Sequence, residues 1–164
     1  YVRSYIADRP CPLSNVKIYG STYLGTYQDG KERFWRDIMG GCASARFHEK
    51  HLGFSDTAQR MIKSARGLAS ALDIFSCAPH PELLHMDADN TAYCLAQPGA
   101  QYAVYFTEGG AAELDMSACG NGVAVRWFAV DQGCWIGRRQ RRRGASVSLR
   151  APGPGQWVAV RHAD

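Results

Sequence analysis

The stretch TAYCLAQPGAQYAVYFTEGGAAELDMSACGNGVAVRWFAV, residues 91–130, decides the fold that we predict. It contains four runs rich in aromatic, β-branched and small apolar residues, and Gly-containing turn signals separate them. In the second run Tyr102, Val104 and Phe106 share one face, because successive side chains of a strand point in opposite directions. Short alternating strands at this spacing predict an antiparallel β-sandwich.

Two further strand-like runs extend this pattern toward the carboxyl end of the chain. They are ASVSLR at 145–150 and QWVAVR at 156–161, and a Pro-Gly-Pro-Gly turn lies between them. The six runs together assign residues 85–164 to one β-sandwich domain.

The first half of the chain is mixed in character. Residues 16–19 and 44–48 are short runs typical of strands. Residues 31–45 carry apolar side chains at helical spacing until a Gly-Gly pair, and residues 55–73 repeat apolar residues at steps of three and four. We therefore predict an α+β fold, in which a short helical and strand segment, 1–84, packs on the C-terminal antiparallel β-sandwich.

The overall composition is typical of a globular protein, with 46% hydrophobic and 21% charged residues among 164. No apolar run approaches the roughly 18–20 residues of a transmembrane helix, so we expect no membrane partner. No basic-then-apolar leader opens the chain, so we expect no signal peptide in it, and the cellular location stays open. Six cysteines without a Cys-x-x-Cys pair predict free thiols, with one or two disulfides as the alternative in an exported protein.

A single cluster of arginines accounts for the basic charge of the chain. The formal net charge is +4, and without the five arginines of this cluster it would be −1. Because a nucleic-acid binder needs a broad basic footprint, we do not expect nucleic acid as a partner. Five neighbouring cations repel one another and favour an exposed loop, which is either simply solvated or binds a polyanion. The candidate polyanion-binding residues are Arg138, Arg139, Arg141, Arg142 and Arg143.

Several longer motifs stand out in both halves of the chain. They are NVKIYG (15–20), RFWRDIMGGCASARFH (33–48), PHPELL (79–84), AQYAVYFTEGGAAELDMS (100–117), VAVRWFAVDQGCW (123–135) and APGPGQWVAV (151–160). The first three resemble the end of the (β/α)8 barrel in the apiosidase-like family of glycoside hydrolase-related proteins, which carry a domain of unknown function. The last three resemble the small β-sandwich, labelled a collagen-binding domain, that follows that barrel. The resemblance covers about residues 12–162.

The resemblance implies that the chain holds only part of such a protein. A barrel of this kind needs roughly 250 residues, whereas only residues 1–84 precede the sandwich, which is room for the last βα units. In the family the seventh strand carries an Asn-x-Glu pattern with the Glu as nucleophile, and Lys17 stands at the matching position here. Because glycoside hydrolysis needs two carboxyl groups across the scissile bond, we assign no catalytic residue and do not expect this chain alone to be an enzyme.

The same resemblance indicates which residues could contact a sugar. Arg46 and His48 follow what would be the last barrel strand, where the side chains of an intact barrel face the substrate. Lys17 and Tyr19 belong to the preceding strand, and Trp135 lies near a turn of the sandwich as a candidate aromatic platform. Four of the five also have a structural interpretation: an ion pair for Arg46, an ordinary loop position for His48, and packing for Tyr19 and Trp135.

Two patterns around these residues are less specific. Tyr19, Tyr23 and Tyr27 recur every four residues and could line a sugar cleft, although packing or loop exposure also explains them. His48 and His51 could share a metal ion, but no third ligand lies nearby in the sequence. We therefore predict no metal site and no cofactor.

Together these observations favour a non-catalytic, carbohydrate-associated accessory module that resembles the C-terminal end of a glycoside hydrolase. The expected partner is a carbohydrate. One alternative is a divergent or truncated glycosidase, and another is an oligomeric interaction protein that binds a polyanion through its arginines. Because a partial barrel would expose apolar edges that the other strands cover, we also expect self-association as a homo-oligomer.

Overall fold

The structure is a computed structural model and describes residues 4, 8, 11–19, 26–48, 54–86, 88, 91–119 and 123–162. Within these residues, a strand–helix–strand–helix segment precedes a series of strands. The first segment consists of β1 (Ser14–Tyr19), α1 (Tyr27–Met39), β2 (Ser44–His48) and α2 (Asp56–Ala69). The strands that follow are β3 (Ala78–Pro79), β4 (Leu84–His85), β5 (Ala92–Gln97), β6 (Gln101–Phe106), β7 (Ala111–Asp115), β8 (Val123–Ala129), β9 (Cys134–Arg142), β10 (Ser146–Arg150) and β11 (Trp157–His162).

Helix α1 begins earlier than the apolar pattern from residue 31 predicts. Thr26 is its N-cap: the Thr26 hydroxyl accepts from the Asp29 N–H at 3.1 Å, and the Asp29 carboxylate accepts from the Thr26 N–H at 2.8 Å. This reciprocal capping box satisfies two backbone donors at the start of the helix. The hydrogen bond from the Thr26 N–H is also the main reason why the pKa of Asp29 lies below its ordinary value.

Helix α2 agrees with the amphipathic pattern that predicted it. Ser55 caps its start by accepting a backbone N–H of the first turn at 3.2 Å. Met61 and Leu68 on its apolar stripe are buried, whereas Lys63 and Arg66 on the other side are exposed. Among the described residues, neither this helix nor any other is long and apolar enough to cross a membrane.

The strands form three sheets. β1 and β2 pair in parallel as a two-stranded sheet. The later strands form a six-stranded sheet in the order β3-β5-β6-β11-β8-β9 and a three-stranded sheet in the order β10-β7-β4, and their pairings are antiparallel. The predicted α+β fold, with a helical and strand segment packed on an antiparallel sandwich, is therefore confirmed.

The six-stranded sheet lies between the helices and the three-stranded sheet, and its central strands are buried on both faces. On one face Tyr105 stacks on Trp35 of α1, with ring centroids 5.7 Å apart. On the other face Phe106 and Trp127 pack together, with centroids 5.6 Å apart, in the core shared with the three-stranded sheet. The predicted strand face that ends in Phe106 is thus the one inside the sandwich, and the helices cover the opposite face.

The arginine cluster does not form the predicted loop. Four of its members lie in β9, which is an edge strand of the six-stranded sheet and pairs with β8. The register of this pairing shifts between Val125 and Trp127, so that residues 137–139 lie opposite Arg126. The predicted exposure is confirmed, since every residue from 137 to 146 is exposed. An edge strand can carry such a charge because only one of its sides is paired.

All six cysteines are free, as predicted. Cys94 is buried in β5, and burial raises the pKa of its thiol to about 12. Cys42 is half-buried, and burial together with the nearby Asp37 raises the pKa of its thiol to about 11. Because the thiolate is the reactive form of cysteine, neither residue is a nucleophile at neutral pH.

Candidate functional site

Four of the five candidate sugar-contacting residues lie on one face of the β1–β2 sheet. Ile18 and Phe47 belong to the opposite face and are buried against the helices, where Phe47 stacks on Phe34 of α1 at 4.9 Å. Because side chains alternate along a strand, the residues next to Ile18 and Phe47 in sequence turn away from the helices. We refer to this open side as the β1–β2 face; its candidate residues are Lys17, Tyr19, Arg46 and His48.

Tyr19 and His48 form a pair at the carboxyl ends of the two strands. They are register partners, and their rings meet edge to face with centroids 5.4 Å apart and an interplanar angle of 84°. Both side chains are half-buried. In barrels of βα units the carboxyl ends of the strands carry the ligand-contacting groups, so this pair occupies the position expected of a binding site.

Lys17 and Arg46 lie two residues before Tyr19 and His48 in the same two strands. The register shifts between Asn15 and Ile18, so that two residues of β1, Val16 and Lys17, lie opposite Arg46. Lys17 and Arg46 are exposed, and neither takes part in an ion pair within the described part of the chain. The structural interpretation of Arg46 as an ion-pair partner therefore has no support among these residues.

The amino-terminal end of β1 is held by a partly buried polar contact. The Asn15 side-chain amide donates to the Asp37 carboxylate at 2.8 Å, and Asp37 is only 7% exposed. Burial raises the pKa of Asp37, although the Asn15 hydrogen bond and the charge of Arg33 act in the opposite direction. This contact ties β1 to α1 and gives Asn15 a structural role.

Neither strand of the β1–β2 sheet supplies a carboxyl group. The strand sequences SNVKIY and SARFH contain no Asp or Glu. Asp29 is engaged in the capping box of α1. Because both glycosidase mechanisms need a pair of carboxyl groups, these two strands carry candidate binding residues but no acid pair.

Trp135 belongs to the six-stranded sheet rather than to the β1–β2 face. Its ring meets Phe128 edge to face with centroids 5.1 Å apart, and the Arg126 guanidinium lies 5.4 Å from its centroid. The ring is half-buried and packs against the core that the helices share with this sheet. Its role as a sugar platform stays a prediction.

The structure describes only some members of the Tyr19, Tyr23 and Tyr27 pattern and of the His48 and His51 pair. Tyr27 is the first residue of α1 and is 45% exposed, separate from the strand that carries Tyr19. Tyr23 and His51 lie outside the described residues.

A cleft of about 320 Å³ lies at the edges of the two antiparallel sheets, beside the edge strands β9 and β10. We call it the edge cleft; its lining residues are Val125, Trp127, Gln140, Arg142, Arg143, Ser146, Val147, Ser148, Leu149 and Arg150. Among its lining residues, the arginine pattern of the sequence singles out Arg142 and Arg143 but not Arg150. Val147 and Leu149 are buried in the sandwich, so Ser146, Ser148 and Arg150 lie on the outer side of β10.

Comparison with solved structures identifies a fold shared with glycoside hydrolases. A protein described as "Glycoside hydrolase" matches with a TM-score of 0.75 and 12% sequence identity, over 99% of this chain and 45% of that chain. A glycoside hydrolase family 5 structure from Bacteroides vulgatus ATCC 8482 matches with a TM-score of 0.64 and 13% identity, over 84% of this chain and 36% of that chain. No protein-family model matches the sequence, and neither does any curated protein.

These matches show the class of fold. The chain has a glycoside hydrolase-like fold and spans less than half the length of the two proteins it matches. At 12–13% identity the likeness concerns the fold alone. The predicted relation to glycoside hydrolases is therefore confirmed at the level of the fold.

Proposed function

We propose that this chain is a non-catalytic, carbohydrate-associated part of a glycoside hydrolase-like protein and that it contacts sugar through the β1–β2 face. The observation that carries the proposal is the gathering of Lys17, Tyr19, Arg46 and His48 on one open face of a parallel strand pair. The glycoside hydrolase-like fold supports it. The finer assignment to the apiosidase-like family rests on the motifs of both halves and belongs to the same proposal.

The chemistry of the β1–β2 face suits a sugar. Arg46 and Lys17 donate hydrogen bonds through exposed cationic groups that have no carboxylate partner among the described residues. The edge-to-face contact between Tyr19 and His48 fixes both rings, which lowers the entropy lost when a ligand packs against them. Sugars offer hydroxyl groups that accept such hydrogen bonds and apolar ring faces that pack on aromatic side chains.

The non-catalytic part of the proposal follows from the missing carboxyl groups. A retaining mechanism needs two of them about 5–5.5 Å apart and an inverting mechanism about 6.5–9.5 Å. β1 and β2 carry none, and Lys17 cannot act as a carboxylate nucleophile. The chain would therefore orient carbohydrate or support a catalytic barrel rather than cleave the glycosidic bond itself.

A glycan microarray followed by titration with the best neutral oligosaccharide tests the proposal. The Lys17→Ala/Arg46→Ala variant should bind about tenfold more weakly, which corresponds to the loss of a charged hydrogen bond. The matched control is Lys63→Ala/Arg66→Ala, which removes the same charges from the exposed side of α2 and should bind like the wild type. Equal losses in both variants, or no neutral glycan bound by the wild type, would contradict the proposal.

We further infer that the chain self-associates through the β1–β2 sheet. Within the described residues neither strand of this sheet pairs with a third strand, and Val16 on β1 is 56% exposed. Open strand edges of this kind favour pairing with another copy of the chain. Light scattering over a range of concentrations should show a dimer, and a monomer at every concentration would contradict the inference.

A further inference from the structure

We propose that the sugar on the β1–β2 face carries an acidic group, a uronate carboxylate or a sulfate, that binds between Lys17 and Arg46. This inference rests on the proposed function and adds the class of sugar to it. The proposed function itself requires only that carbohydrate binds to this face, which a neutral sugar would satisfy. An experiment that compares acidic with neutral sugars therefore tests the two separately.

The two cations of the β1–β2 face are neighbours on adjacent strands. Arg46 of β2 lies opposite the part of β1 that contains Val16 and Lys17. Both cations are exposed, and neither makes an ion pair with a residue that the structure describes. Neither strand contains an Asp or a Glu. Because like charges on adjacent strands repel each other, an anion bound between these two side chains would relieve the repulsion and be attracted by both.

Hydrogen-bonding capacity also favours an acidic group over a hydroxyl group. The ammonium of Lys17 and the guanidinium of Arg46 donate hydrogen bonds and accept none. An ionised carboxylate or sulfate accepts only, and two of its oxygens match the planar fork of an arginine. A sugar hydroxyl also has a proton to donate, for which neither cation offers an acceptor. The pair of cations is therefore chemically complementary to an anion.

The backbone beside Lys17 is held in an irregular conformation. The Asn15 side-chain oxygen accepts a hydrogen bond from the Lys17 N–H at 3.2 Å, and the Asn15 amide donates to the Asp37 carboxylate at 2.8 Å. The register of β1 with β2 shifts at this place, so that two residues of β1 lie opposite one of β2. Such bulges change the direction in which a side chain points. Asn15, which is tied to α1 through Asp37, is therefore the positioning residue of Lys17.

The acidic group and the sugar ring would occupy neighbouring parts of the same face. The Tyr19–His48 ring pair lies at the carboxyl ends of the strands, two residues beyond the cations. Two residues of a strand span roughly 6–7 Å, which is a separation that a single sugar unit can bridge. A sugar that packs on the ring pair would thus place its acidic substituent near Lys17 and Arg46.

Protection of the open strand edges explains less of this arrangement. Charged side chains and bulges both hinder the pairing of an open strand with another chain. Such protection requires neither that the two cations adjoin each other nor that they lie beside the ring pair. An acidic sugar accounts for the cations, their adjacency and the aromatic pair on one face together.

Isothermal titration calorimetry of the intact chain tests the proposal with matched trisaccharides. A galacto-configured set and a gluco-configured set each contain a neutral trisaccharide, its uronate form and its sulfated form. In at least one set we expect an acidic member to bind about tenfold more tightly than the neutral one, with a difference that shrinks as salt is added. The acidic form that binds more tightly identifies the acidic group. Equal affinities within both sets would overturn the proposal.

Variants without the charges decide whether the preference belongs to this face. Lys17→Gln/Arg46→Gln keeps hydrogen-bond donors and removes both charges, so the acidic affinity should fall about tenfold and the neutral affinity less than about twofold. The matched control is Lys63→Gln/Arg66→Gln on the exposed side of α2, which should lower the acidic affinity less than about twofold. Equal losses of acidic affinity in the two variants, at unchanged thermal midpoints, would mean diffuse attraction and would overturn the proposal.

The arginines of β9 are the other candidates for an acidic ligand. Arg138→Gln/Arg141→Gln removes two of these charges and leaves the β1–β2 face intact. The acidic affinity of this variant should stay within about twofold of the wild type. A larger loss than in Lys17→Gln/Arg46→Gln would move the acidic group to β9 and overturn the proposal.

The positioning role of Asn15 has its own readout. Asn15→Ala removes the acceptor for the Lys17 N–H, so the ratio of acidic to neutral affinity should fall about threefold. A purely structural role would lower the thermal midpoint and leave this ratio unchanged, which would contradict the positioning of Lys17 by Asn15. If Asn15→Ala does not fold, the variants without the charges decide the proposal.

The outcomes separate this inference from the proposed function. If neutral trisaccharides bind and the acidic forms bind no better, the acidic preference is wrong and the proposed function stands. If no glycan binds, in the titration or on the microarray, both are contradicted.

Discussion

The six-stranded sheet and the β1–β2 sheet differ in how many of their faces are covered. The six-stranded sheet is buried by the helices on one side and by the three-stranded sheet on the other. The β1–β2 sheet is buried on the side of the helices, and its other face carries exposed and half-buried polar and aromatic residues. The covered central strands of the six-stranded sheet serve as a scaffold, whereas the open β1–β2 face carries the candidate sugar-contacting residues.

The helices pack against both the six-stranded sheet and the β1–β2 sheet. Trp35 of α1 stacks on Tyr105 of the six-stranded sheet, and its indole N–H donates to the Met61 sulfur of α2 at 3.4 Å. Phe34, the neighbouring residue of α1, stacks on Phe47 of β2. One helix therefore connects the scaffold to the open sheet.

Removing Trp35 should weaken this connection and have the largest effect. Trp35→Ala leaves a cavity at a fully buried position, so we expect the free energy of unfolding to fall by about 3–5 kcal/mol. Chemical denaturation followed by circular dichroism and by tryptophan fluorescence should still give coincident transitions. Phe75→Ala is the control, because Phe75 is 86% exposed and its loss should change stability by less than about 0.5 kcal/mol. Separate transitions in the wild type would contradict a shared core.

A substitution confined to the sandwich should have the next largest effect on stability. Gly109 has φ +75°, and a Cβ at this position would lie 2.5 Å from the backbone oxygen of Gly153. Gly109→Ala should therefore lower the free energy of unfolding by about 2–4 kcal/mol, from backbone strain together with overpacking. Gly110→Ala is the matched control, because Gly110 has φ +95° but open space around it, and it should lose only about 1–2 kcal/mol. Thermal denaturation compares the two, and equal losses would mean that the close approach to Gly153 is unimportant.

A change confined to the β1–α1 side should have the smallest effect, visible as a pH dependence. Because burial raises the pKa of Asp37 in the folded state, its contribution to stability is present below the unfolded pKa and is lost as the pH rises through the folded pKa. Asp37→Asn keeps an acceptor for the Asn15 amide and removes this titration. The stability of the variant relative to the wild type should therefore increase as the pH rises from about 3.5 toward neutrality. A relative decrease over the same range would mean that the Asn15 hydrogen bond and the Arg33 charge outweigh burial.

Local patterns predicted most of the fold. The alternation of QYAVYF and the apolar stripe of α2 identify their elements because both patterns are short-range consequences of burial on one side. The start of α1 was missed because Thr26 and Asp29, which cap it, lie outside the apolar pattern. β9 was missed because its arginines and Gly137, at φ +65°, argue against a strand, and pairing with β8 outweighs that local preference.

The candidate site was predictable as a set of residues but not as a surface. The resemblance named Lys17, Tyr19, Arg46 and His48 one at a time. Their common face depends on the parallel register of β1 and β2 and on the shift near Lys17, which are pairings between distant parts of the chain. The edge cleft likewise depends on long-range pairing, because β9 and β10 are edge strands of two different sheets.

Nuclear magnetic resonance of isotope-labelled protein, titrated with the best-binding neutral oligosaccharide, locates the sugar-binding surface residue by residue. We expect the backbone amide shifts that change during the titration to concentrate in β1 and β2, with the largest changes near Tyr19 and His48. The chemical shifts of backbone amides in β5 and β6, which belong to the covered scaffold, should not change. Shifts confined to the sandwich, or none at a saturating concentration, would contradict the assignment of sugar binding to the β1–β2 face.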